Sequence, residues 1–322
     1  MSSLTLHQNI VQKFHEEYLA AVSPIVEQAS PVSLAQRWDV LFQCSIAPKP
    51  EWMAPDSLAA MLDLYQVPSH EHLMPKYLGD DFHWGAIVSP RVATTTGEPI
   101  AFIEHWFVTD PGDLDHVVEA VKTQWPFPYS AIWIPMAPRH RCAPFINELE
   151  SVNLKECAYV ADWGRARPEV SSATKLSSFS CATNQALDSW GPDFCHVLKQ
   201  GRAALIPERE RASLRKRIES CLQTGGIVNL HDDQGLAAHV SWCQGSEAEL
   251  LIPQCWNVPY IFVRHDLRGQ GLAKHMYALA AQNMGLDEIP LICARVQEDN
   301  LPSVRALEAV GAERVLEYYT VG

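Results

Sequence analysis

The sequence predicts an α/β protein of two domains, each a mixed, mostly antiparallel sheet flanked by helices. Three observations carry this expectation. The chain has 322 residues, enough to bury two cores. Its last part alternates apolar, β-branched runs with segments of helical periodicity. Residues 83–163 repeat that alternation in the same order. The expected layout is a first domain over 1–163 with a helical N-terminal extension, then a linker over 164–178, then a second domain over 179–322. The linker, GRARPEVSSATKLSS, is small and polar with one proline.

In the first half, HWGAIVSPRVATTTGEPIAFIEHWFV (83–108) reads as a hairpin of two strands. DLDHVVEAVKTQW (113–125) reads as a helix, YSAIWIPM (129–136) as a strand, and ECAYVADW (156–163) as a closing strand. Two echoes tie this half to the second: LESVNLKE (149–156) with LEAVGAER (307–314), and GAIV (85–88) with GGIV (225–228). Its strand-to-helix loop, TDPGDLDH (109–116), carries three aspartates and would repel an anion.

In the second half, PYIFV (259–263) reads as a strand and HDLRGQGLA (265–273) as a glycine loop. GLAKHMYALAAQNMG then places Leu272, Met276, Leu279 and Ala280 on one helical face, with Gly285 as a stop. Glycines there allow positive φ and close approach of a ligand, and N–H groups at a helix start form an anion site. A strand, PLICARV (290–296), follows. Asn300 can cap a last helix that tolerates Pro302 in its first turn and ends at Gly311.

The order strand, Arg-x-x-Gly-x-Ala loop, helix, strand, Asn-headed helix, Gly, strand resembles the GNAT superfamily of acyl-CoA N-acyltransferases. Arg268, Gly271 and Ala273 stand at the three signature positions of that family's pyrophosphate loop, and Asn300, Ser303, Glu308 and Gly311 match its last helix. The resemblance is strong over 257–322 and extends to about 176. It implies two GNAT-like domains, the first a degenerate copy that does not bind coenzyme A. It implies that backbone N–H groups of Arg268, Gly269, Gln270, Gly271, Leu272, Ala273 and Lys274 hold the coenzyme A pyrophosphate. Ile261, Phe262 and Val263 would run beside the pantetheine arm, with an N–H near Val263 polarising the thioester carbonyl. Asn300 and Ser303 would reach the same arm from the last helix. The implied activity is transfer of an acetyl group from acetyl-CoA to a primary amine of a small molecule by direct attack. The absence of G-x-G-x-x-G argues against a dinucleotide fold.

Two usual residues of the family are missing. Leu307 stands where many members carry a tyrosine that protonates the leaving thiolate, and WNVPY (256–260) lacks the glutamate that deprotonates the amine. An amine of pKa about 10 costs roughly 4–5 kcal/mol to deprotonate at neutral pH, so a base or water relay is expected. Tyr260, Ser303, Tyr318 and Glu249 are the candidates, with Tyr260 and Ser303 preferred as catalytic. The missing pair leaves two alternatives open: a non-catalytic acyl-CoA sensor or scaffold, and O-acyl transfer or acyl-CoA decarboxylation on the same fold.

Composition narrows the partners. A net charge of −13 argues against nucleic acid, and no apolar run is long enough to span a bilayer. Nine cysteines without CxxC pairs, and no basic-then-apolar leader, fit a cytoplasmic protein. SHEHLMPKYLGDDFHWG (69–85) is rich in histidine and aspartate but lacks a ligand spacing, so no metal is expected. The expected partner is the amine acceptor alone; oligomeric state is open.

Overall fold

The computed structural model describes residues 8–21, 24–29, 33, 36–37, 59, 62–69, 73–80, 82–92, 98–136, 149, 151–169, 178–186, 188–189, 218–247, 250 and 252–321. Most of the expected linker, and Glu249, lie outside the described residues. Two N-terminal helices, α1 (Gln8–Ala21) and α2 (Pro24–Ala29), precede the sheet. The first half then runs β1 (Lys76–Gly79), β2 (Trp84–Val92), β3 (Pro99–Val108), α3 (Leu114–Gln124), β4 (Ile132–Met136) and β5 (Val152–Asp162). The second runs β6 (Ser180–Thr183), β7 (Gly225–Asp232), β8 (Gly235–Glu247), β9 (Ile252–Val263), α4 (Leu272–Asn283), β10 (Leu291–Gln297), α5 (Leu301–Glu308) and β11 (Glu313–Val321).

Among the described residues, eleven strands form one sheet in the order β1-β2-β3-β4-β11-β5-β10-β9-β8-β7-β6. The two halves have exchanged their last strands. β11 lies between β4 and β5, and β5 lies between β11 and β10, all antiparallel. Side chains follow the strands across. Tyr319 and Val321 of β11 enter the first-half core under α3, while Cys157, Tyr159, Ala161 and, just beyond β5, Trp163 enter the second-half core under α4 and α5. Trp163 seals that exchange: its indole N–H donates to the Val310 carbonyl (3.1 Å) and its ring meets Tyr277 edge-on.

Within each half the same device recurs. β3 and β4 are parallel but pair only at Ala101–Ile132 and Phe102–Trp133. β9 and β10 are parallel and pair only at Trp256–Ile292 and Asn257–Cys293. Beyond those points each pair splays apart. A β-bulge sits just past each split. In β3 the extra residue is Glu104, between the pairs Ile103–Val88 and His105–Ile87. In β9 it falls at Val258–Pro259, between Asn257–Cys243 and Tyr260–Ser241. A bulge bends and twists its strand, which is what drives the partner strands apart. The expected repeat is therefore present as geometry, residue for residue: Phe102 with Asn257, Glu104 with Pro259, Trp106 with Ile261.

Candidate functional site

The gap between β9 and β10 is the candidate site of the second half. Its head is the loop between β9 and α4. Arg264, 7% exposed, anchors it. Its backbone N–H donates to the Ala237 carbonyl (2.9 Å), and its guanidinium forms a fork on Asp232 at the end of β7 (2.9 and 2.6 Å). The Nε donates to Asp266 (2.8 Å), so one arginine ties two strand ends and the loop together. The fork holds the Asp232 carboxyl below the ordinary carboxylate range. A carboxyl with a lowered pKa adds stability above its unfolded value of about 3.9, lost as the pH falls through the folded value. Asp232→Asn should therefore cost about 3 kcal/mol at pH 6, and the difference between denaturant melts of variant and wild type should narrow as the pH falls below about 3.9. A constant difference across that range would show that the fork does not carry the stability.

After this anchor the loop opens. Gly269 and Gly271 both have φ +78°, a left-handed conformation that side chains rarely adopt, and a Cβ on either would meet nothing within 4 Å. Gly271 heads α4 without a side-chain cap. The first helical bond is His275 N–H to Gly271 O (3.2 Å), so the N–H groups of Leu272, Ala273 and Lys274 have no carbonyl within the helix. The resemblance began the row of donors at Arg268. That N–H is engaged with the His265 carbonyl (3.3 Å), and the row starts at Gly269. Arg268 contributes its side chain differently, donating to the Val263 carbonyl (3.2 Å) and fastening the loop to β9.

Ile261 and Val263 pack toward the α4 side, and Phe262 and Tyr260 face the other way. The ladder with β8 is regular at Val263, opposite Ala238, and is interrupted instead at Val258–Pro259. Arg264 N–H bonds Ala237 on β8, so the neighbouring Val263 N–H and carbonyl point the other way, toward the gap. The sequence held a signal for the bulge, since a proline inside a strand is confined to an edge or a bulge. Asn300 corrects a second expectation. It stands at the N-cap of α5, yet its side chain makes no capping bond, and its carbonyl alone receives Ser303 and Val304 (3.0 and 3.1 Å).

The catalytic candidates are not brought together. Tyr260 packs on the face covered by the helical residues 218–224, beside Ile218, Cys221 and Ile227. Ser303 is half-buried on α5, a helix whose Val304 and Leu307 pack into the core on the α4 face. Burial drives the Tyr260 phenol above its ordinary value, with the Arg268 charge opposing, which suits a hydrogen-bond donor and not a base. Tyr318 lies in the core on the exchanged strand β11, its ring covered by the Arg295 guanidinium (4.9 Å). Leu307 is 1% exposed and is core packing. A tyrosine there would meet the side chains under α4, so the family's acid position points inward. A cavity of about 310 Å³ lined by Trp133, Glu156, Gln297 and Asp299 lies on the β5 side of β10, away from the gap.

The first half presents the same gap closed. Trp106, the counterpart of Ile261, donates its indole N–H across the split to the Pro135 carbonyl on β4 (2.9 Å). Its bulge residue, Glu104, is buried and gripped by Arg91 (Nε to Oε1, 2.9 Å) and by the Ser89 hydroxyl. The loop donors are consumed locally. Asp110 accepts from Gly112 N–H (3.0 Å), and Asp113 accepts from Asp110 N–H (3.2 Å).

No protein-family model and no curated protein matches the sequence. Solved structures do. A GNAT-family acetyltransferase from Colwellia psychrerythraea superposes with a TM-score of 0.50 at 10% identity, covering 86% of this chain and 97% of its own. A GCN5-related N-acetyltransferase from Sphaerobacter thermophilus gives 0.50 at 8% identity, covering 93% of each chain. Both superpositions run through the two halves, and the chain has the fold of the GNAT acetyltransferases.

Proposed function

We propose that the second half transfers an acyl group, acetyl in the simplest case, from an acyl-CoA to the amine of a small molecule, and that the first half is a closed copy that supports it. The contrast between the two splayed gaps carries this reading. One is bridged by Trp106 and its loop donors are spent on aspartates. In the other, Gly269 to Lys274 form an uncovered row of donors at the start of α4, beside glycines with open space above them. Pyrophosphate fits that row because consecutive N–H groups and the helix dipole both favour an anion.

In this reading β9 from Val258 to Val263 offers its unpaired edge to the pantetheine arm, and the Asn300 side chain supports it from α5. The acceptor nitrogen attacks the thioester carbonyl carbon. The C–N bond forms, the C–S bond breaks, and the nitrogen gives up a proton as the thiolate gains one. A backbone donor on the gap-facing edge of β9, near Val263, would stabilise the developing oxyanion. Tyr260, protonated throughout the working range, would donate to the departing sulfur.

Titration calorimetry on the whole chain should give one equivalent of coenzyme A. A stoichiometry near two would show that the Asp110–Asp113 loop also accepts phosphate and would remove the contrast on which the assignment stands. Thiol release from acetyl-CoA across a panel of amines then separates transfer from a sensor, which would bind one equivalent and release none.

A further inference from the structure

Three aromatic rings share one face of the sheet where the two halves meet: Phe102 on β3, Trp133 on β4 and Tyr318 on β11. Phe102 and Trp133 are ladder partners, and the rings of Phe102 and Tyr318 lie 6.2 Å apart. Two of the three carry a guanidinium. Arg91 lies over Phe102 with its Cζ 3.8 Å from the ring centroid, and Arg295 lies over Tyr318 at 4.9 Å. A carboxylate bonds each of these cations. Arg91 Nε donates to Glu104 (2.9 Å), and Arg295 Nη2 donates to Glu247 (2.6 Å). The face thus uses one unit twice: a ring, a guanidinium above it, and a carboxylate that bonds the guanidinium.

Trp133 has a ring and carboxylates without the cation. It is 8% exposed, and among the described residues no cation and no second ring lies against its indole. Instead it walls the cavity of about 310 Å³. Glu156 on β5, Gln297 at the end of β10, and Glu298 and Asp299 in the turn toward α5 line the same space. Lys155 is the one basic residue among the described lining. The Glu298 N–H donates to the Lys155 carbonyl (3.0 Å), which holds that turn against β5. Three carboxylates against one ammonium give the cavity a negative potential. Its volume suits a compact ligand. The strand exchange creates it, since Trp133 comes from the first half and Gln297 from the second, with β11 and β5 between them.

We propose that this cavity binds a small organic cation by its guanidinium group, stacked on Trp133 with its N–H groups donated to Glu156 and Asp299. Both carboxylates have other interactions within the protein, and a carboxylate with about four lone-pair positions accepts a further donor. A guanidinium suits the place better than an ammonium, because it is planar, weakly hydrated, and stacks while its N–H groups point outward in the ring plane. The ligand would complete a third copy of the unit that Arg91 and Arg295 form with Phe102 and Tyr318. The cavity lies across β10 from the gap, so it fills independently of coenzyme A, and the proposal does not rest on acyl transfer.

The test is titration calorimetry on the full chain at pH 7 and low salt, with butylguanidine as the probe and butylamine as its ammonium counterpart. One equivalent of butylguanidine should bind, about fivefold or more tighter than butylamine, and added salt should weaken it. Trp133→Leu should weaken butylguanidine about tenfold, whereas Trp133→Phe, which keeps a ring, should stay within about threefold of wild type. Asp299→Asn, at an exposed turn position, should cost about fivefold, and gives the answer if the leucine variant does not fold. Saturating coenzyme A should leave the affinity unchanged within about twofold. No binding at millimolar butylguanidine, or unchanged affinity in a folded Trp133→Leu or in Asp299→Asn, overturns the site. Equal affinity for butylamine overturns the guanidinium assignment. Displacement of butylguanidine by coenzyme A places the cation in the gap and overturns the cavity. A chain that binds butylguanidine but no coenzyme A removes acyl transfer and leaves this site standing.

Discussion

Gly271→Glu is expected to weaken coenzyme A binding by at least 100-fold while the protein stays folded. The residue heads α4 with φ +78°, and a Cβ there meets nothing within 4 Å. Any side chain costs about 1–2 kcal/mol of backbone strain at this φ, within the stability of an ordinary domain. The carboxylate does the damage, because it occupies the space above the first-turn N–H groups and repels the phosphates. Gly271→Asn separates the two effects. It bears the same strain, eased by the tolerance of asparagine for left-handed backbone, but carries no charge, and should bind within about tenfold of wild type. Calorimetry on both variants, with circular dichroism to confirm folding, decides the matter. Unchanged affinity in a folded Gly271→Glu protein would show that the pyrophosphate lies elsewhere.

The second half expressed alone, residues 179–322, is expected not to fold into a coenzyme A-binding unit, although it contains every proposed contact. The reason is the strand exchange. In the intact sheet β10 and β11 are not neighbours; β5 stands between them, from Leu291 opposite Asp162 to Gln297 opposite Glu156 on one side. Removing residues 1–163 takes out that strand and with it Tyr159 and Trp163 from the core under α4. Each large aromatic lost from a core costs about 3–5 kcal/mol, so these two alone remove roughly 6–10 kcal/mol. That matches the whole stability of a typical domain, about 5–15 kcal/mol. It also strips Tyr319 and Val321 of the first-half core that buries them. Co-expression of 1–163 with 179–322 should restore a soluble complex that binds one equivalent of coenzyme A. A monomeric 179–322 with wild-type affinity would show that β11 can fold back beside β10.

The loop and its flanks were legible in the sequence because they are local. PYIFV, HDLRGQGLA and the helix after them fix strand, positive-φ glycines and helix start within a few residues, and the structure places Gly269 and Gly271 at φ +78° as glycine permits. The aspartates of TDPGDLDH marked the closed loop, and the structure adds the mechanism, carboxylates bonding the donors of their own turn. Pro259 announced the bulge to any reading that asked why a proline lies inside a strand.

Other features had no local signature. Asn300 looks like a capping residue in sequence, and only its geometry shows a side chain left uncommitted. Leu307 sits at the right count for an acid, but the rotation of α5 against α4 buries it. Trp133 and Gln297 lie in different halves with nothing in either sequence to join them; the strand order β4-β11-β5-β10 does so. The exchange of β5 and β11 is the largest of these decisions. Both strands are apolar enough to close either half, so the sequence determined that each half ends in a buried strand. Which half each strand closes depends on hydrogen-bond partners and core contacts more than a hundred residues away, and only the tertiary structure could choose between them.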